Sequence, residues 1–190
     1  MRPDVAVAPA TGGRVEQVPM PPEARALATL DRIDYTDAFR AESAHADALT
    51  GEEWARAFLE GAPARLRRDL VWGWRAIGLR LGSTGDPDRV LGWEIRRRGP
   101  DHALLAARSW LGVSAEVLAK RDEGEVLVAS FVRWHHPLGR LLCAAIAPHH
   151  RRVVAHLLGR ATSLRSARRS EGLQAVSASP APGRGAHNRP

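Results

Sequence analysis

"VLGWEIRRRGPDHALLAARSWLGVSAEVLAKRDEGEVLVASFVRW", residues 90–134, decides the fold of this 190-residue chain. Four runs of strand length stand in it, at 90–98, 102–110, 113–121 and 125–134. Only "GPD", "LG" and "DEG" separate them. Connections this short allow antiparallel hairpins and exclude parallel crossovers, which need a dozen residues or more. Val113, Ala115, Val117 and Ala119 alternate with mostly polar neighbours, the pattern of a strand buried on one face. The stretch therefore predicts a four-strand antiparallel meander.

Working outward, "HHPLG" (135–139) breaks the last strand, and a helical pattern follows from about 138 to 164. Its apolar stripe is Leu142, Ile146, Val153, Val154, Leu157 and Ala161, and Pro148 inside it removes a backbone donor and predicts a kink. Upstream, "STGDPD" (83–88) is a turn cluster. Before it, "ARLRRDLVWGWRAIGLRLG" (64–82) repeats Leu66, Leu70, Trp74, Ile77 and Leu81 at helical spacing. A shorter helix precedes it, opened by Thr50 and Glu53 in capping-box spacing, striped by Trp54, Ala57 and Phe58, and ended at Gly61. "RIDYTDAFRAE" (32–42) reads as a first strand. The order β-α-α-β-β-β-β-α predicts an α+β, helix-grip-like fold: an antiparallel β-sheet packed against a long, Pro-kinked C-terminal helix. That fold usually encloses a cavity between sheet and last helix, and this chain is one or two strands short of its full version.

Residues 1–27 are rich in Pro, Gly, Ala and Val without periodicity and read as a disordered segment; 28–166 form a single α+β domain; 167–190 read as a disordered basic tail. Lys120 is the single lysine beside 27 arginines. Residues 1–150 hold 20 basic and 20 acidic side chains, so the net charge of +7 comes entirely from residues 151–190, where eight arginines face only Glu171. A balanced globular part argues against a specific nucleic-acid-binding face. Cys143 is alone in "LLCAAIA", which excludes an internal disulfide and fits a reducing compartment, and the expected location is the cytoplasm. The N-terminus lacks the basic and apolar regions of a secretion signal, and the longest apolar run, 141–148, is too short to span a bilayer.

"IDYTDAF" (33–39), "TGEEWARAFLEG" (50–61), "VLGWEI" (90–95), "VRWHHPLGRL" (132–141) and "PHHRRVV" (148–154), in that order, resemble the bacterial family called domain of unknown function 2867. The likeness spans 33 to about 161. It implies the domain limits and no catalytic residues, since no established activity comes with the family. In the family pattern an aromatic commonly precedes the histidine of a P-x-H-R segment; here His149 takes that place and His150 matches the histidine.

Two histidine pairs, His135-His136 and His149-His150, invite a metal reading. Spacing argues against it: neighbours on an extended segment point to opposite faces, and helix neighbours differ by about 100°. No H-x-x-x-H, paired cysteine, phosphate loop, G-x-G-x-x-G or G-x-S-x-G is present, so neither metal nor cofactor is implied. His150 shares the apolar stripe with Ile146 and Val154, whereas His149 lies on the polar side. His150 is therefore the histidine expected to face the sheet, either as a core residue or as a ligand contact or acid/base. Asp37 in "YTD", with Tyr35, could polarise a ligand or simply end a strand. Arg133 beside Phe131 could take an anionic group or point outward. Trp74 and Trp93 could line a pocket or only fill the core. The ligand-binding candidates are thus His150, Arg133, Tyr35, Asp37, Trp74, Trp93 and Phe131. The expected function is binding of a small apolar or amphipathic molecule between sheet and terminal helix. The alternatives are an enzyme of cyclase or dehydratase type, or a module that meets membranes or proteins through that helix and the basic tail.

Overall fold

The computed structural model describes residues 14–177, with side chains through Leu164. Seven strands form one sheet: β1 (Val15–Val18), β2 (Tyr35–Glu42), β3 (Arg89–Val90), β4 (Trp93–Arg98), β5 (His102–Ser109), β6 (Val113–Asp122) and β7 (Glu125–Trp134). Their order is β1-β2-β7-β6-β5-β4-β3 and every pair is antiparallel. The helices are α1 (Pro22–Leu27), α2 (Gly51–Leu59), α3 (Ala64–Ala76) and α4 (Pro137–Ser177). The architecture is α+β, an antiparallel sheet packed against a long C-terminal helix, consistent with a helix-grip arrangement. The run 90–98 is itself a hairpin, because Leu91 (φ 48°) and Gly92 (φ 91°) make the two-residue, positive-φ turn between β3 and β4.

The sheet has two covered faces. On the front lie Phe39, Ala41, Trp93, Leu105, Ala119, Val126 and Val128, closed over by Trp54, Phe58 and Leu59 of α2 and by Val154, Leu157, Leu158 and Ala161 of α4. On the back, Ala38, Leu104, Leu118, Leu127, Ala129 and Phe131 pack under Ala24 and Leu27 of α1 and under Leu30 and Ile33. The capping box of α2 is present: the Thr50 hydroxyl accepts from the Glu53 N–H at 3.2 Å, and Glu53 accepts from the Thr50 N–H at 2.8 Å. Gly51 is obligatory there, since a Cβ would fall 2.2 Å from the His102 backbone.

The structure corrects the termini. Residues 14–27, read from composition as disordered, supply the edge strand β1 and the helix α1. Val15 and Val18 are too few to show a period, and their order comes from pairing with β2. Pro22 at the first helical position is a helix-start signal that the composition masked. Helix α4 continues past 166 to Ser177, and the remainder of the proposed tail, 178–190, lies outside the described residues, as do 1–13. Helix α3 ends at Ala76, short of the predicted 82, because Gly78 takes φ 77° and Leu79 then bridges to Ser109 of β5. Pro148 lies inside α4. No helix among the described residues is long and apolar enough to cross a membrane.

Candidate functional site

The strand period distributes the candidates. In β7, Val126, Val128 and Ser130 share the front face, while Leu127, Ala129, Phe131 and Arg133 share the back. In β2, Tyr35, Asp37 and Phe39 face front. Register places Asp37 directly opposite Ser130 and Tyr35 opposite Val132. Helix α4 crosses above, and the half-buried His150 lies one turn before Val154, the first of its buried residues Val154, Leu157, Leu158 and Ala161.

Three predicted residues, Tyr35, Asp37 and His150, therefore meet, joined by Ser130 and Arg151. The Tyr35 hydroxyl donates to Asp37 Oδ2 at 2.7 Å. His150 Nε2 stands 3.5 Å from the same oxygen and 3.1 Å from the Ser130 hydroxyl. Arg151 Nε donates to the Tyr35 oxygen at 3.2 Å, and its guanidinium lies 5.8 Å from the Tyr35 ring centroid. Asp37 is only 4% exposed, yet its Oδ1 accepts no hydrogen bond among the described residues. The His150 side chain, 31% exposed, opens the cluster to the surface.

Electrostatics keep this carboxyl charged. Burial pushes the Asp37 carboxyl up, but hydrogen bonding and attraction from His150, with help from Tyr35 and Ser130, outweigh it and hold the group below its ordinary value. Burial and the neighbouring Asp37 push the Tyr35 hydroxyl up to about 12, so it stays a donor at neutral pH. Asp37 and Ser130 both approach Nε2 of His150. A Ser-His-Asp relay needs them on opposite ring nitrogens, so this group is not a nucleophilic triad. Nε2 meets both neighbours, and Nδ1 has no partner among the described residues.

The other candidates lie elsewhere. Phe131 is fully buried on the back face, away from α4, because it stands one residue from Ser130. Arg133 also faces back and pairs with Asp31. Trp74 and Trp93 pack edge to face with centroids 5.4 Å apart, but β4 and β2 are four strand spacings apart, about 19 Å. Trp93 is core, 3% exposed, and its Nε1 lacks a partner among the described residues. His135, His136 and His149 are exposed, and His135 meets the Ser114 hydroxyl at 3.0 Å. Burial raises the Cys143 thiol, half-buried on α4. Ser130 and Arg151 were missed by the sequence reading. The signal for Ser130 was one hydroxyl in phase with Val126, Val128 and Val132.

No family model, curated protein or solved structure matches this chain. The likeness to domain of unknown function 2867 therefore rests on the quoted residues alone.

The packing also limits where a ligand could lie. From Val154 onward α4 is seated on the sheet, with Leu157 3% and Leu158 0% exposed. Its first half is less covered: Leu142, Ile146 and His150 are half-buried, and Leu138 and Leu141 are exposed. On the front face, Val132 of β7 is half-buried, as are its neighbours Ala115 and Val117 on the adjoining strand β6.

Proposed function

We propose that this protein binds a small amphipathic molecule on the front face of the sheet, beneath the first half of α4. The observation that carries the reading is Asp37: a buried, charged carboxylate with one oxygen unpartnered, beside a half-exposed histidine. Such an oxygen costs free energy unless a donor reaches it. The ligand's polar end would then be a hydroxyl or amine that donates to Oδ1, with His150, Tyr35 and Ser130 around it. Its apolar part would lie against Val132, Val117, Leu142 and Ile146, which are neither fully buried nor free.

The test is native mass spectrometry for a co-purified ligand, followed by NMR of the His150 ring with n-octanol and n-octylamine as probes. A saturable shift at His150, lost in Asp37→Asn, is the expected result. No adduct and no saturable response to either probe would refute the reading.

A second reading, acid–base catalysis of cyclase or dehydratase type, is favoured by one observation, the open Nδ1 of His150. His150→Gln that keeps probe affinity while turnover of an identified ligand vanishes would separate catalysis from binding. The interaction-module reading gains little, because the α4 stripe from Val154 to Ala161 is already spent on the sheet.

A further inference from the structure

The back face carries a second polar site, which the proposed ligand site does not use. Register sets Arg108, Ser114 and Arg133 abreast on β5, β6 and β7. Adjacent strands are about 4.8 Å apart, so the two arginines flank Ser114 across about 10 Å. The next row of this face is Ala106, Glu116 and Phe131. The segment Thr29–Asp31 closes one side, and with Arg96, His135, Ala106, Glu116 and the Arg108–Ser114–Arg133 row it lines a hollow of about 420 Å³.

Charge in the hollow is unevenly satisfied. Glu116 is 1% exposed, and its two oxygens accept the N–H and hydroxyl of Thr29. Arg96 lies 3.9 Å from it. Asp31 is engaged by Nη1 of Arg133. Both carboxyl groups of the lining are thus occupied, and the unsatisfied groups are donors. Arg133 Nε is a buried N–H with no acceptor, and the Arg108 side chain has no partner among the described residues. The Ser114 hydroxyl stands between them, and His135 meets it at 3.0 Å.

We infer that this hollow binds a small oxyanion, a carboxylate or a phosphate group, held between Arg108 and Arg133 over Ser114. Planar guanidinium forks on two sides suit an oxyanion, whose oxygens would accept from Arg133 Nε, Arg108 and the hydroxyl. Glu116 disfavours an anion at the depth of Phe131, so the bound group sits at the outer, Arg108–Ser114–Arg133 row.

The experiment titrates the full chain with inorganic phosphate and, separately, with acetate, at ionic strength held constant with chloride. It follows the His135 ring by NMR and the melting temperature. Saturation by at least one probe is expected, and the probe that saturates names the class. Arg108→Ala should weaken it at least tenfold without lowering the melting temperature of the free protein, since that side chain is exposed and has no hydrogen-bond or ion-pair partner among the described residues. Arg133→Lys, which keeps charge but loses the fork, should weaken it as well. Absence of saturation by both probes, or an unchanged response in Arg108→Ala, would overturn the inference. Asp37→Asn should leave this response intact, which keeps its failure distinct from failure of the front-face reading.

Discussion

Each face of the sheet buries one carboxyl group, and the two are used in opposite ways. Glu116 on the back is 1% exposed and saturated by Thr29, so it fastens the N-terminal segment to the sheet. Asp37 on the front is 4% exposed, receives Tyr35 and His150 on one oxygen and leaves the other unpartnered. The difference lies in what covers each face. The back is closed by a six-residue helix and an extended segment, whose backbone offers donors to a side chain beneath. The front is closed by helices whose backbone groups are already paired, so only side chains can answer Asp37. A buried acid under a loop is readily satisfied; one under a helix waits for whatever the helix side chains or a ligand provide.

The comparison can be broken by mutation, most severely through the back-face core. Phe131→Ala should cost about 3–5 kcal/mol in urea denaturation, as for a fully buried aromatic, and leave the affinity for n-octanol or n-octylamine unchanged. A loss below about 1 kcal/mol, or a loss of probe binding alone, would return Phe131 to the ligand site.

Glu116→Ala should cost about 2–4 kcal/mol, because both Thr29 donors lose their acceptor. Limited proteolysis should then cut first between residues 19 and 33. A variant that resists cleavage like the parent would show that Glu116 is not the fastener.

Asp37→Asn should cost no more than about 1 kcal/mol, since Tyr35 keeps an oxygen to donate to, while the probe response at His150 disappears. Equal penalties for the two acids would erase the distinction between them.

The smallest effect is spectroscopic. Tyr35 is the only tyrosine, so tyrosinate absorbance reports it alone. Its midpoint should lie near 12 rather than 10.0. Because the folded value is raised, its contribution to stability is complete below pH 10 and is lost as pH climbs towards 12. In Asp37→Asn the midpoint should fall but stay above 10.0, since burial is the larger cause. Asp37 works in the other direction. Its folded value is depressed, so its contribution is present above its ordinary 3.8 and is lost as pH drops below that.

Much of the meander is legible in the sequence. β5, β6 and β7 begin where the sequence reading began them and end within one residue of it, because Gly112 and Gly124 mark the tight turns with positive φ. The Thr50–Glu53 box was equally plain, being a local hydrogen-bond pattern. The site was half legible. Asp37, Tyr35 and His150 could be named from residue type and helical phase. Phe131 and Arg133, named as candidates beside them, stand on the other face, where alternation along β7 sends them away from Ser130. Val15 and Val18 were not legible at all, since four residues carry no period and need β2 beside them.

The sequence by itself determined strands β5 to β7, their antiparallel sense and the phase of the last helix, because these follow from periodicity and from connections too short for anything else. Only the tertiary structure decided that residues 20–33 cover the back of the sheet, that Glu116 is answered and that Asp37 is not. Those outcomes depend on which backbone or side-chain donors arrive from distant segments, Thr29 reaching Glu116 across 87 positions, and local spacing carries no record of such meetings.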